Sequence, residues 1–280
     1  MRKNGEKSEV GSLKSADRSD FRLQASRFRR ASVVAWQILV GVVALALWQG
    51  LVSLKLLDPF FVSRPSDIAR RIATWIASGT LWPHLIVTLE ESLLGLVVGA
   101  ALGIALGFVF ARSPMVARVF DPYIKMLNAI PRVVLAPLFL LWFGLGIWSK
   151  VALAVTLVFF VMFFSTYQGV RDASQVLIDN VRMLGATERQ LVRHVLVPSA
   201  LTWIFSSLHT SLGFAMVGAV VGEYLGSTRG LGYVISQAEG TFDTTGVFAG
   251  MTILGVVVVI VSAAVTRLER WLLRWKRDER

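Results

Sequence analysis

Six apolar runs, each near the length of a membrane crossing, alternate with short polar stretches along the chain: residues 31–54, 88–110, 116–143, 148–167, 199–221 and 246–266. About 20 apolar residues in helical form cross a hydrocarbon core of roughly 30 Å. The pattern therefore predicts an all-α, polytopic membrane protein with six transmembrane helices. Basic clusters set its orientation. Arg27, Arg29 and Arg30 precede the first run, and Arg267, Arg270, Arg274, Lys276, Arg277 and Arg280 follow the last, so the positive-inside rule places both termini in the cytoplasm. One membrane domain, residues 31–267, is expected between two cytoplasmic basic tails, 1–30 and 268–280. The first tail has no apolar core and no small-residue cleavage site, and reads as a basic arm lying near anionic lipid rather than a signal peptide.

Three of the runs depart from plain apolar helix. The second carries Gly95, Gly99, Gly103 and Gly107 at four-residue spacing, a groove without side chains where another helix can approach closely, from the same subunit or from a second one. Pro131 and Pro137 interrupt the third run. Each removes a backbone donor and disfavours helix at the residue before it, and a broken helix at membrane depth is tolerated where neighbours or a water-lined cavity satisfy the freed carbonyls. Residues 128–143 are accordingly the candidate lining of a translocation path, with Asn128, Pro131 and Arg132 at the break and Phe139 and Phe143 as gate residues. In the fifth run His209 lies among Ser206, Ser207, Thr210 and Ser211. An ionisable group at that depth faces a cavity or a partner; a neutral, structurally bonded His209 and a contact to an anion, shared with Arg132, both fit.

Between the first two runs, residues 68–76 form an amphipathic piece with Ser66 or Asp67 as its cap. Arg64, Arg70 and Arg71 break the charge rule there, and an interfacial helix would leave them among the headgroups. After the fifth run an outside segment, residues 223–243, contains a glycine-rich turn, 226–232, and a short helix.

The longest polar interruption, residues 172–201, reads as two short helices. Val176, Leu177, Val181 and Leu184 recur on one side of the first, opposite Gln175, Asp179, Asn180 and Arg182. Gly185 stops it, and Thr187 starts the second, with Gln190 placed to complete a capping box. Pro198 marks the start of the next segment. A half-apolar helix pair carrying Arg182, Arg189, Arg193 and His194 between two spans is built to dock on something in the cytoplasm.

These residues resemble the membrane-spanning permease subunits of binding-protein-dependent ABC importers. In that family the cytoplasmic loop reads Glu-Ala-Ala, three residues, Gly, nine residues, then Ile-x-Leu-Pro. The same spacing here gives Asp179-Asn180-Val181, Gly185 and Val195-Leu196-Val197-Pro198. Asp179 keeps the charge of the glutamate; Asn180 and Val181 are larger than the two alanines. The stretches NAIPRVVLAPLFLLWFGLG and EYLGSTRGLGYVI resemble the branch that imports nitrate, taurine, aliphatic sulfonates and related small compounds. The resemblance implies a two-helix cytoplasmic coupling loop between helices 4 and 5, residues 172–198, with Asp179, Asn180, Arg182, Gly185, Ala186, Thr187, Arg189 and Pro198 meeting the ATPase. It further implies two copies of a separate cytoplasmic ABC ATPase that uses ATP and Mg, a periplasmic or lipid-anchored solute-binding protein, and a second permease copy as a homodimer. Alternating access would move a small anionic solute inward across the cytoplasmic membrane.

Composition narrows the classes. The 280 residues are 55% hydrophobic and only 17% charged, with a mean hydropathy of +0.63, too apolar for an ordinary soluble domain. The net charge of +11 would favour nucleic acid in a soluble protein, but these basic residues flank the apolar runs and face membrane lipid, so no nucleic-acid partner is expected. Without cysteine, thiol chemistry is excluded. No Gly-Lys pair occurs, so no Walker-type phosphate loop is possible. The three histidines, His84, His194 and His209, are scattered. A transport subunit without a catalytic site, metal or cofactor of its own is expected. The competing readings are an ion-gradient-driven carrier, which would need acidic or histidine relays where the chain offers Glu90 and Glu91 at a span edge; an ABC permease for a pyrimidine or thiamine precursor; and a membrane scaffold. A helix-turn-helix on DNA fails because both ends of the pair run into spans.

Overall fold

The structure, a computed structural model, describes residue 33 and residues 35–272, with backbone alone at 268 and 270–272. The tail 1–30 and residues 273–280 lie outside the described residues. The described residues form helices joined by short turns. By its contacts the chain divides into two compact units, Met1–Ser66 and Asp67–Arg280. In the first, α1 (Ala35–Ser53) ends where Lys55 takes a positive φ of 59°, and the Asp58 carboxylate caps the following turn by accepting from the Phe60 N–H at 2.9 Å. The next helix, α2 (Pro65–Ala77), begins at Pro65, so Ser66 and Asp67 sit in its first turn rather than at the expected cap.

The second unit is built around three long helices: α3 (Leu81–Arg112), α6 (Ile147–Arg171) and α9 (Val197–Gly226). The four-residue glycine repeat decides how α3 meets α6. A Cβ at Gly99 would lie 2.8 Å from Val158 Cβ, at Gly103 2.6 Å from the Phe159 carbonyl oxygen and at Gly107 2.6 Å from that of Phe163, while Gly95 faces Ala154. All four glycines therefore receive α6 of the same chain. Gly218 and Gly222 of α9 in turn close on Ala154 and Lys150, so α6 meets small-residue surfaces on both α3 and α9, the packing that substitutes for hydrophobic drive in lipid. Leu96, Val158, Met162, Leu212 and Ala215 fill the space between the three helices.

The third apolar run is the bent one. It forms α4 (Pro114–Ala129), a 3-10 turn (Arg132–Leu135) and α5 (Ala136–Phe143), with an 83° bend across the break. Pro131 makes the break, whereas Pro137 occupies the first turn of α5; there its missing N–H costs nothing, so it starts a helix instead of interrupting one. Pro122 lies inside α4. Counted as one span, the bent pair brings the candidate crossings among the described residues to six; without it there are five.

The remaining elements are α7 (Gln175–Met183), α8 (Glu188–Leu191), α10 (Leu231–Gly240) and α11 (Thr244–Leu272). Arg71, anomalous by the charge rule, is ion-paired with Asp243 at the start of α11. Leu81, Met216, Leu231, Ile253 and Val257 pack α10 and α11 against the ends of α3 and α9.

Candidate functional site

The segment after α6 is held by nearly every device a short helix pair can use. Ser174 caps α7 through its hydroxyl, which accepts from the Leu177 N–H. At the other end Gly185 takes φ +80°; its N–H reaches the Arg182 carbonyl at 2.9 Å and the Ala186 N–H that of Val181 at 3.2 Å. This paired closure needs a left-handed residue, hence glycine. Thr187 and Gln190 form the expected capping box: the Thr187 N–H donates to Gln190 Oε1 at 2.8 Å and the Gln190 N–H to Thr187 Oγ1 at 3.4 Å.

Glu188 then ties the pair together and to the bundle, accepting from Arg182 at 3.2 Å and from Arg112, at the end of α3, at 2.8 Å. Asp179 accepts from Gln175 at 3.0 Å, and Arg189 is exposed. The expected apolar stripe divides in two. Val181, with Ile178, packs on Val170, Leu191, Val195 and Leu196, whereas Val176, Leu177, Met183 and Leu184 face outward, the last two 84% and 87% exposed. Ile178, with no part in the expected stripe, is thus the inward anchor.

Pro198 lies in the first turn of α9, at the expected start of the next segment, although no break in helix precedes it. It lacks the N–H that would bond back to residue 194, and the turn ahead of it widens into a π segment, Val192–Leu196, closed by the Val197 N–H on the Val192 carbonyl. Helix therefore continues from Glu188 to Gly226.

The candidate path residues fall in three places. Asn128 and Arg132 meet at the break: Arg132 Nη2 donates to the Asn128 carbonyl at 3.1 Å and to its side-chain oxygen, and the guanidinium lies 4.6 Å from the Phe160 ring centre. Pro131 precedes the 3-10 turn. Phe139 is buried with Ala136 and Leu153, while Phe143, its ring centre 6.3 Å away, is exposed. His209 joins neither group. Its Nε2 pairs with Glu269 of α11 at 3.0 Å, the bonded reading of that residue. An apolar groove of about 430 Å³, lined by Thr210, Gly213, Phe214, Val217 and Val221 on α9 and by α11, contains none of the expected path residues.

Three charged residues near the helix ends proved to be interior. Glu91, read as a span edge, and Glu223, read as outside, are 2% and 1% exposed, and Lys150 is fully buried. Charged residues close to a run's end look like surface in a sequence; only the helices' extension, α3 back to Leu81 and α9 on to Gly226, puts them inside.

Long apolar helices, one of them broken by proline, and a capped helix pair inserted before the fifth crossing describe a multi-pass membrane subunit of transport type. The chain belongs to the family of binding-protein-dependent transport system inner membrane components, whose profile matches residues 99–278. It is a permease subunit of an ABC importer, and its location is the inner membrane. A Bacillus subtilis permease named for aliphatic sulfonates transport, SsuC, is 34% identical over 86% of this chain and 87% of its own length. The formylaminopyrimidine transport permease protein ThiX of Halalkalibacterium halodurans is 35% identical, covering 79% and 88%. The taurine transport system permease protein TauC of Escherichia coli is 30% identical, covering 83% and 86%. Among solved structures, a chain of the MetNI methionine ABC transporter in an inward-facing conformation superposes with a TM-score of 0.56 at 21% identity, over 70% of this chain and 95% of that one. The buried acids are of the kind a gradient-driven carrier would require, but family membership assigns the chain to ABC import.

Proposed function

We propose that this permease, as a homodimer with both termini in the cytoplasm, moves a small anionic solute of the sulfonate or taurine type inward, driven by two separate ATPase subunits that use ATP and Mg and grip the segment 172–198. A periplasmic or lipid-anchored binding protein delivers the solute. The observation that carries this reading is the projecting tip at Met183 and Leu184: bare apolar side chains at the end of a helix braced by Gly185, the capping box and the Arg112–Glu188–Arg182 bridge. Apolar surface of that kind calls for a protein cover, and a braced mount transmits force instead of absorbing it. ATPase closure swings the segment, and the spans reorient.

For the solute, Arg132 at the break of the third span supplies positive charge beside Asn128, and two of the relatives are named for sulfonates and taurine. The relative named for formylaminopyrimidine supports a neutral pyrimidine as the second reading. Because the chain has no cysteine, a single cysteine at Met183 or Leu184 tests the docking surface directly. Crosslinking to the ATPase subunit that varies with nucleotide is expected; no crosslink in an actively importing complex refutes it. Uptake into proteoliposomes of an alkanesulfonate against a formylaminopyrimidine decides the solute class, with loss of sulfonate uptake in Arg132→Gln expected.

A further inference from the structure

Beside the segment 172–198, the ends of α3, α4 and α6 enclose a pocket of about 410 Å³ whose lining includes Arg118, Asp121, Tyr167 and Arg171. Its charges do not cancel. Asp121 is ion-paired with Lys125 at 2.7 Å. Arg171 donates to the neutral Tyr167 hydroxyl at 2.7 Å, its guanidinium 5.5 Å from that ring's centre. Among the described residues neither Arg118 nor Arg171 ion-pairs with a carboxylate. A neighbouring recess shares Arg171, but its other arginines, Arg112 and Arg182, are both held by Glu188. Pro114, the first residue of α4, also lines the pocket, so the positive end of that helix adds to the same field.

An apolar wall continues from this cationic mouth. A second recess shares Phe110 and Tyr167 with the pocket and is lined further by Ile124, Phe163 and Phe164. The Phe110 ring stands edge-on to Phe163 at 5.2 Å and tilted to Phe120 at 5.8 Å, and Phe120 and Phe164 are exposed. From Arg171 back to Phe164 on α6, and from Arg118 on to Ile124 on α4, the rise of about 1.5 Å per residue puts the apolar end roughly 10 Å from the cationic end. Free phosphate or a nucleotide would leave the aromatic wall unused. A compact anionic head with hydrocarbon behind it uses both ends, and basic pockets between helices at the cytoplasmic face take lipid headgroups of that kind.

We propose that this pocket binds one anionic phospholipid of the cytoplasmic leaflet, its phosphate on Arg118 and Arg171 and an acyl chain along Phe110, Phe120 and Phe164. The lipid joins α4, the first half of the broken span, to α6, which leads into the docking segment. Its leaflet rests on the cytoplasmic placement of residues 172–198 proposed above; the pocket and its charge do not.

The test uses the whole transporter, permease with its ATPase subunits, in native mass spectrometry after exposure to equal amounts of phosphatidylglycerol and phosphatidylcholine. The wild type should retain phosphatidylglycerol in preference, and Arg118→Gln and Arg171→Gln should each weaken retention about fivefold. Arg193→Gln, an exposed arginine outside the pocket, should retain it as the wild type does. Equal retention of the two lipids by the wild type, or equal loss in Arg193→Gln, overturns the proposal. So does displacement by inorganic phosphate as readily as by phosphatidylglycerol, the mark of a free-anion site. A disulfide between two copies of Ala117→Cys would put a second chain over the pocket and overturn it too. Should the arginine variants fail to assemble, a phosphatidylglycerol with a photoreactive acyl chain decides in the wild type: label on α4 and α6 around Ile124 and Phe164 supports the site, and label only elsewhere refutes it. A cysteine at Leu184, probed with a membrane-impermeant thiol reagent in sealed vesicles, reports the leaflet separately. Reaction from the outside would overturn the leaflet and the proposed function together while lipid retention stood.

Discussion

Replacing Gly185 with valine places a β-branched residue at φ +80°, a region such residues avoid. No atom lies within 4 Å of the Cβ position, so the whole penalty is backbone strain, about 1–3 kcal/mol. The two closing hydrogen bonds from Gly185 and Ala186 contribute about 1 kcal/mol each; strain of that size is enough to open them. The rest of α7 stays seated through Ile178 and Val181, so insertion and assembly survive while the tip at Met183 and Leu184 loses its fixed direction. A shift of 1–3 kcal/mol reduces the coupled geometry roughly 5- to 150-fold. The assay is paired: ATP turnover of the reconstituted complex and solute uptake by the same proteoliposomes. Uptake per ATP should drop in Gly185→Val and be largely kept in Gly185→Asn, since asparagine enters the left-handed region with little cost. Unchanged uptake per ATP in the valine variant, or equal damage from asparagine, refutes the stiff-lever argument.

Gly103→Val drives a side chain against the Phe159 carbonyl, 2.6 Å from the Cβ position, and overpacking against backbone should cost 1–3 kcal/mol or more, about the range for crowded cores; the folded fraction in detergent should collapse, while Gly255→Ala, with open space around it, should be neutral or slightly stabilising. Exchanging the charges of Arg112 and Glu188 tests the brace: each single reversal should lower uptake per ATP, and the double reversal should recover part of it, with stability changed by no more than about 1 kcal/mol because the pair is exposed. Asp243 both pairs with Arg71 and caps α11 through the Gly246 N–H at 3.0 Å. Asp243→Ala should therefore cost about 1–2 kcal/mol and Asp243→Asn less, an order read from thermal unfolding midpoints.

Local rules wrote themselves plainly into this chain. The capping box at Thr187 and Gln190, the stop at Gly185 and the groove at Gly95, Gly99, Gly103 and Gly107 depend on a few neighbouring residues, and the structure has each of them. What the sequence hid was set by distant partners. Glu91, Lys150 and Glu223 lie on three different helices, and their burial follows from how far those helices run and how closely Gly218 and Gly222 let α9 approach. Arg71 looked misplaced until Asp243, 172 residues away, appeared beside it. Pro137 has the same chemistry as Pro131 but follows a turn already broken, so it starts a helix where its counterpart ends one. The inward role of Ile178 was likewise invisible, because only the position of α9 tells which side of α7 is covered.

The run Glu188–Gly226, 39 residues long, joins the docking segment to the fifth crossing as one rod. At Ala200 it is wedged against Gly169 of α6, where no room exists for even a methyl group. At about 1.5 Å per residue, the stretch from that contact to Glu223 is roughly twice the stretch to Glu188. Were ATPase closure to tilt the rod about that contact, as the proposed function requires, the outer end would travel about twice as far as the end that is pushed.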